Sequence, residues 1–353
     1  MDYRDAMYLV VGLLFAFLMT YVLTPLVLKF SVKVGAIDVP KDDRRMHSKP
    51  IPTMGGLAIF ISFTVGVLAF VPMDMTFVGL LIGALMICVT GMLDDIYNLK
   101  AWLKLILQIA AALVVAFCGV VIDKFTWFDK VIFFGDWAIP VTVLWIVAIT
   151  NTINLIDGLD GLACGISAIS SLALLVVSYV LAIQNAAVTL TIAILAGSCL
   201  GFLPYNMNPA KIFMGDVGAT FLGFVLSVVS IQGFFKVNAL ISFAIPFLVL
   251  GLPIVDMLFA VVRRLSKGQH PFQPDRKHFH HRLIDAGMNQ KQSVMLMYAV
   301  SSLLGISAIL FAAKKHSGAL LVMLASFAMG VINWMVMKRE HVEEADKAEN
   351  NSK

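Results

Sequence analysis

Charge is what this sequence has least of: 14% of its 353 residues are Asp, Glu, Lys or Arg, against about 25% in ordinary soluble proteins. With 60% of residues hydrophobic, a soluble globular domain is excluded. Cysteine is scarce too. Cys88, Cys118, Cys164 and Cys199 lie in apolar stretches and form no C-x-x-C pair, which argues against a disulfide framework or a zinc site and makes them small core residues. The first apolar stretch lacks the basic start and small-residue cleavage site of a removable signal peptide, so it is expected to stay in the mature protein. No soluble domain and no clear internal repeat is visible.

Long apolar runs are what the chain does have. Met7 to Phe30, Leu57 to Val71 and Ala239 to Ala260 are nearly free of charge, and about 20 such residues make a helix that crosses a bilayer. Breaks at charged or Pro/Gly/Asn-rich segments give eleven candidate spans, near 7–30, 54–72, 76–93, 102–122, 138–153, 162–184, 187–205, 218–235, 238–265, 293–313 and 318–337. The expected fold is therefore an all-α integral membrane protein with its termini on opposite sides. With the N-terminus outside, 20 of the 26 Lys and Arg fall in cytoplasmic segments, as the positive-inside rule requires. One polytopic domain over 1–337 is expected, with cytoplasmic loops at 31–53, 94–101, 154–161, 206–217 and 266–292 and a polar cytoplasmic tail at 338–353. Outside, residues 123–137 read as a short interfacial hairpin.

Acids near a membrane are costly, so their placement is informative. Asp94 and Asp95 stand where the third span ends, Asp157 and Asp160 lie in NLIDGLDGL, Asp216 in FMGDVGA, and Asp256 inside the ninth span. Any one of them reads equally well as a solvated loop residue, but together they crowd one face beside glycines with few local cations. Such carboxylates repel one another unless a cation joins them, and hard oxygen ligands suit Mg²⁺ or Mn²⁺ bridging phosphates. Residues 263–291 add seven Lys or Arg and four histidines, a loop able to wrap a nucleotide diphosphate or, equally, to face anionic lipid. Zinc on His278, His280 and His281 is a weaker alternative, since no Cys accompanies them. A secondary transporter is the rival class; against it, most acids lie at one face, and only Asp256 suits an ion path.

The set PTMGG (52–56), Asp94-Asp95, NLIDGLDGL (154–162), GFLPYNMNPAKIFMGDVGA (201–219) and PDRKHFHHRL (274–283) resembles the polyprenyl-phosphate N-acetylhexosamine-1-phosphate transferases, in order and on one membrane face from about residue 30 to 290. H-x-H-H after PDRK looks like the members that use UDP-GlcNAc, whereas the phospho-MurNAc-pentapeptide translocases, the alternative, end in a triple histidine. Where the translocases carry a lysine three residues after the second Asp, this chain has Asn98, so that role is not transferred; Lys104 matches a second family lysine, and Lys100 lies between.

The resemblance implies a bacterial cytoplasmic-membrane enzyme, Mg²⁺-dependent with Mn²⁺ as substitute, that joins GlcNAc-1-phosphate from UDP-GlcNAc to undecaprenyl phosphate and releases UMP, opening a teichoic-acid or O-antigen type glycan. Its partners would be these substrates and membrane lipid, with no nucleic acid; a homodimer is left open. It makes Asp216 the leading metal ligand with Asp157 beside it. Glycines 215 and 218 would let backbone approach the diphosphate. Asp94 and Asp95 would orient the acceptor, take its last proton or hold a Lys or metal nearby. Asp157 and Asp160 are further catalytic candidates, for donor or metal contact; they share a face only if their segment is helical, a loop being as good a reading. Lys104, Lys100, Asn154, Asn206, His47, His278, His280, His281 and Arg282 are candidate substrate contacts. Direct attack by the lipid phosphate is favoured over a covalent Asp intermediate.

Overall fold

The computed structural model describes residues 3–40, 49–127, 130–181, 185–235, 240–268 and 278–330. In chain order it comprises α1 (Tyr3–Val34), a ribbon of β1 (Ile37–Asp38) and β2 (Ile51–Pro52), α2 (Gly56–Phe70), α3 (Met75–Tyr97), α4 (Ala101–Phe117), a hairpin of β3 (Lys124–Trp127) and β4 (Lys130–Phe133), α5 (Ala138–Ile156), α6 (Leu162–Val180) and α7 (Ala186–Asn206). There follow α8 (Gly215–Ser230) with a π-helical turn at Ile231–Phe235, α9 (Leu240–Val249), α10 (Gly251–Ser266), α11 (Phe279–Asp285), α12 (Gln290–Ala312) and α13 (His316–Gly330). His47, the PDRK segment at 274–277 and the tail at 338–353 lie outside the described residues.

Seven of these helices, α1, α3, α5, α6, α7, α8 and α12, are long and apolar enough to cross a membrane, while α2, α4 and α13 are apolar but shorter. The chain is thus a multi-pass membrane protein. The ninth expected span is not one helix. Leu250 leaves helical geometry (φ −96°, ψ 15°) between α9 and α10, and Pro253 has no N–H to give to the Val249 carbonyl four residues back, so the helix restarts rather than continues. The expected hairpin is present, with Lys124 opposite Phe133 and Trp127 opposite Lys130. It follows α4 by a few residues, so α4 runs from the Asp94–Asp95 end of the bundle to the hairpin end.

Packing is organised round α8. Its apolar window is buried along its whole length, whereas only 17% of the corresponding window of α1 is buried, so α1 is a lipid-facing helix and α8 the axis. The sequence of α8 permits this because small residues bring backbones together where lipid tails offer no hydrophobic contrast. A Cβ on Gly56 would land on the backbone of Gly218, and one on Gly91 would lie 2.5 Å from the Val217 Cα. Gly218 therefore serves helix packing, not the close approach of a diphosphate.

Gly56→Ala should therefore destabilise the protein by about 1–3 kcal/mol or more, because backbone has to move. Gly330→Ala, where nothing lies within 4 Å, should leave stability unchanged. Thermal unfolding in detergent measures both; an unshifted midpoint for Gly56→Ala would contradict the helix contact.

Candidate functional site

The ends of α3, α5 and α7 and the starts of α8 and α12 converge on one cavity of about 410 Å³. Asp94, Asp95, Asp157, Asp160 and Asp216 all line it, together with Asp38 of β1. The five expected acids, separated by up to 122 positions in sequence, thus share one site, as their clustering on one face implied.

Each acid has a different attachment. Asp95 reaches from α3 to the start of α8 and accepts from the backbone N–H of Asp216 at 3.0 Å and of Val217 at 3.4 Å. Met214, at the cap position of α8, offers no side-chain bond, so Asp95 satisfies orphan donors and complements the helix dipole from a neighbouring helix. Gly215 is required by this arrangement. Its φ is +73°, and a Cβ there would run into the Asp95 carboxylate and the Thr53 hydroxyl, so the residue makes room for protein groups. Asp95 is thus a cap for α8 supplied from α3.

Asp94 and Asp216 are joined by Lys104. Its Nζ donates to Asp94 Oδ2 and to Asp216 Oδ2, each at 2.8 Å. Asp94 Oδ1 also accepts from Leu99 N at 2.8 Å, closing the turn in which Asn98 is left-handed (φ 51°). Asn154 Nδ2 donates to Asp216 Oδ1 at 3.0 Å, so Asp216 is bonded on both oxygens and Asn154 serves the acid.

Residues 157–161 form a turn between α5 and α6, which settles the helix-or-loop question for Asp157 and Asp160. Asp160 accepts from Asn208 Nδ2 at 2.9 Å and Ala210 N at 3.0 Å, pinning the loop after α7. Asn206 does similar work, donating to Ile212 O at 3.1 Å. Asp157, by contrast, meets no hydrogen-bond donor among the described residues. Burial, followed by the charges of Asp216, Asp95 and Asp160, pushes its carboxyl up to about 8.

Lys104 is the one cation that forms an ion pair with any of the five acids among the described residues. No group of three His, Cys, Asp or Glu among those residues is arranged to hold a metal ion by itself. Mg²⁺, which keeps several waters and is held by one or two carboxylates plus substrate phosphates, does not require such a group. The orphaned Asp157 carboxylate and the excess of acid over base fit a divalent cation; the zinc alternative gains no support.

The histidines divide. His278 Nδ1 lies 2.9 Å from Asp256 Oδ2, in α10. His280 is buried with both ring nitrogens unpaired and packs so closely on Gly158 that a Cβ there would strike its ring. Burial lowers its pKa to about 3, so the ring is neutral. The His281 ring lies 4.3 Å from that of His280. Arg282 is on a different surface, with Arg263 at an apolar cavity of about 360 Å³ between α10, α12 and α13. Lys100 is exposed and offers only its carbonyl, to Leu103 and Lys104 N–H. Sequence reasoning missed Asp38 in β1 and Gln290, both of which line the acid cavity; Gln290 accepts from Asn208 Nδ2 at 2.8 Å, and nothing local marks either.

The glycosyl transferase family 4 model matches residues 77–234. A Bacillus subtilis (strain 168) protein named probable undecaprenyl-phosphate N-acetylglucosaminyl 1-phosphate transferase is 42% identical over 307 residues, covering 85% of this chain and 84% of its own. The decaprenyl-phosphate N-acetylglucosaminephosphotransferase of Mycobacterium tuberculosis (strain ATCC 25618 / H37Rv) is 33% identical, with 80% and 77% covered. The undecaprenyl-phosphate alpha-N-acetylglucosaminyl 1-phosphate transferase of Escherichia coli (strain K12) is 28% identical, with 78% and 76% covered.

Lys104→Met keeps the stem but leaves Asp94 and Asp216 facing each other. With both acids part-exposed, the loss should fall between that of a surface and a buried pair, about 1–3 kcal/mol. Added Mg²⁺ should raise the unfolding temperature of the variant more than that of the wild type. Equal shifts in thermal unfolding would show that Lys104 does not balance the acids.

Proposed function

The chain belongs to glycosyl transferase family 4, and on that footing we propose that it transfers GlcNAc-1-phosphate from UDP-GlcNAc to undecaprenyl phosphate. In this reaction an oxygen of the lipid phosphate attacks the sugar-linked phosphorus of the donor. The anhydride bond to the uridine-linked phosphate breaks and UMP leaves. One anhydride forms as another is lost, so the protein must chiefly position two anions and offset their charge. The relatives' names support the substrates. The observation that carries the site is the meeting of Asp94, Asp95, Asp157, Asp160 and Asp216 in one cavity, with Lys104 joining two of them.

Asp216 and Asp157 are the proposed holders of Mg²⁺, with Mn²⁺ as substitute; when bound, the ion neutralises phosphate charge. Lys104, held between Asp94 and Asp216, is placed to bond a phosphate oxygen in exchange for one of them. Asp94 orients the acceptor, whose second pKa of about 6 leaves it largely dianionic without a strong base. Asp95 and Asp160 keep α8 and the loop after α7 in register round the substrates. A carboxylate nucleophile is disfavoured, because Asp94 and Asp216 are already committed to Lys104 and a third anion beside them would raise the barrier.

The proposed topology is one transferase domain over 1–337, crossing the membrane eleven times from an external N-terminus, with a cytoplasmic tail. The 20 of 26 basic residues in the inward segments support it, as do the opposite ends of α4 taken by the hairpin and the acid cavity. The proposed location is the bacterial cytoplasmic membrane, at the first membrane step of a cell-envelope glycan.

Purified protein with UDP-GlcNAc and Mg²⁺ should release UMP only when undecaprenyl phosphate is added, with no stoichiometric burst beforehand. Turnover with UDP-MurNAc-pentapeptide alone would overturn the donor assignment, and a burst would establish a covalent route.

A further inference from the structure

Asp256 is the one acid of the sequence clusters that lies away from the cavity, and the reaction proposed above makes no direct use of it. It sits on α10, a helix whose Val255, Leu258, Phe259 and Val262 are exposed and apolar, as a lipid-facing surface is. Asp256 itself is buried. An ionised carboxylate in such a place costs several kcal/mol unless its oxygens are satisfied, and here both are. Oδ2 takes His278 Nδ1 at 2.9 Å, and Oδ1 takes the backbone N–H of Phe279 at 2.7 Å.

These two bonds fix the start of α11. Phe279 is its first residue, so its N–H is an orphan donor, and His278 at the cap position makes no side-chain cap bond of its own. A carboxylate can only accept, so the contact also fixes a proton on His278 Nδ1 and the plane of the ring. The His280 ring lies parallel to that of His278, 6.0 Å between centroids and 6° between planes. His280 in turn backs Gly158, the residue after Asp157. A continuous path of contacts thus runs from Asp256 through His278 and His280 to the turn that carries Asp157.

We propose that Asp256 is a positioning residue for the donor half of the site: by orienting His278 and capping α11, it seats His280 against Gly158 and so holds the 157–161 turn where it meets the nucleotide diphosphate. This rests on the transfer reaction proposed above. The acceptor is not involved in the path, which separates the effects of Asp256 from those of Lys104.

Asp256→Asn is the discriminating change. Its Oδ1 can still accept from Phe279, so α11 keeps its cap, but it presents an N–H to His278 Nδ1 and shifts that ring's proton to Nε2. The loss of one hydrogen bond to a charged group corresponds to roughly 10- to 150-fold. Asp256→Asn and His278→Ala should each raise the KM for UDP-GlcNAc by about 10-fold or more and weaken equilibrium binding of UMP by a similar factor. The KM for undecaprenyl phosphate should stay near wild type in both, and the unfolding temperature in Asp256→Asn, whereas His278→Ala leaves a buried carboxylate oxygen unpaired and should lower it. Because both act along one path, the double variant should be no worse than the poorer single one. Unchanged donor KM and UMP binding in Asp256→Asn would overturn the proposal. So would a rise in acceptor KM alone, additive losses in the double variant, or a fall in unfolding temperature with both KM values unchanged. Failure of wild-type protein to release UMP from UDP-GlcNAc would instead sink the reaction on which the proposal rests.

Discussion

The structure depends on how six carboxylates can share one cavity at the end of a hydrophobic bundle. Like charges a few ångströms apart in a poorly screened place repel strongly, so each acid must be tied to something. Lys104 spans Asp94 and Asp216, the N-terminus of α8 takes Asp95, and neutral donors take Asp160. Of the five expected acids, Asp157 alone meets no donor among the described residues. The charge that remains is what a divalent cation and a donor diphosphate would share.

The same chemistry holds the scaffold. Asp95 and Asp256 each reach from one helix to the first N–H groups of another, α8 and α11 respectively. A cap supplied by a distant helix fixes the position of two elements at once, which a cap from the adjoining residue does not. It also makes the caps conditional on the tertiary fold. The close backbone approaches at Gly56–Gly218 and Gly91–Val217 work toward the same end, bringing α2 and α3 near enough to α8 for Asp95 and Thr53 to meet Gly215.

Much of this was legible in the sequence. Apolar runs marked the long spans, and the crowding of acids beside glycines on one face marked the cavity before any geometry was known. Lys104 was marked only by the family resemblance. What was not legible depends on partners far along the chain. Asp95 looks like Asp94 in sequence and differs from it only because α8 begins beside one and Lys104 beside the other. The roles of Gly215 and Gly218 were read as ligand approach because sequence shows that a glycine is needed, not what presses against it. Asp256 looked like an ion-path residue until His278, 22 positions away, was seen to fold back onto it. The break at Leu250 was hidden because both halves of the segment are equally apolar, and the cue, Pro253, also occurs in unbroken spans.

The central claim is that the cavity's unbalanced negative charge binds one divalent cation through Asp216 and its neighbours. Electron paramagnetic resonance of purified protein titrated with Mn²⁺ counts that ion directly, without turnover. The account predicts one tightly bound Mn²⁺ per chain in the wild type, displaced by Mg²⁺ and lost in Asp216→Asn. Unchanged Mn²⁺ binding in Asp216→Asn would contradict it.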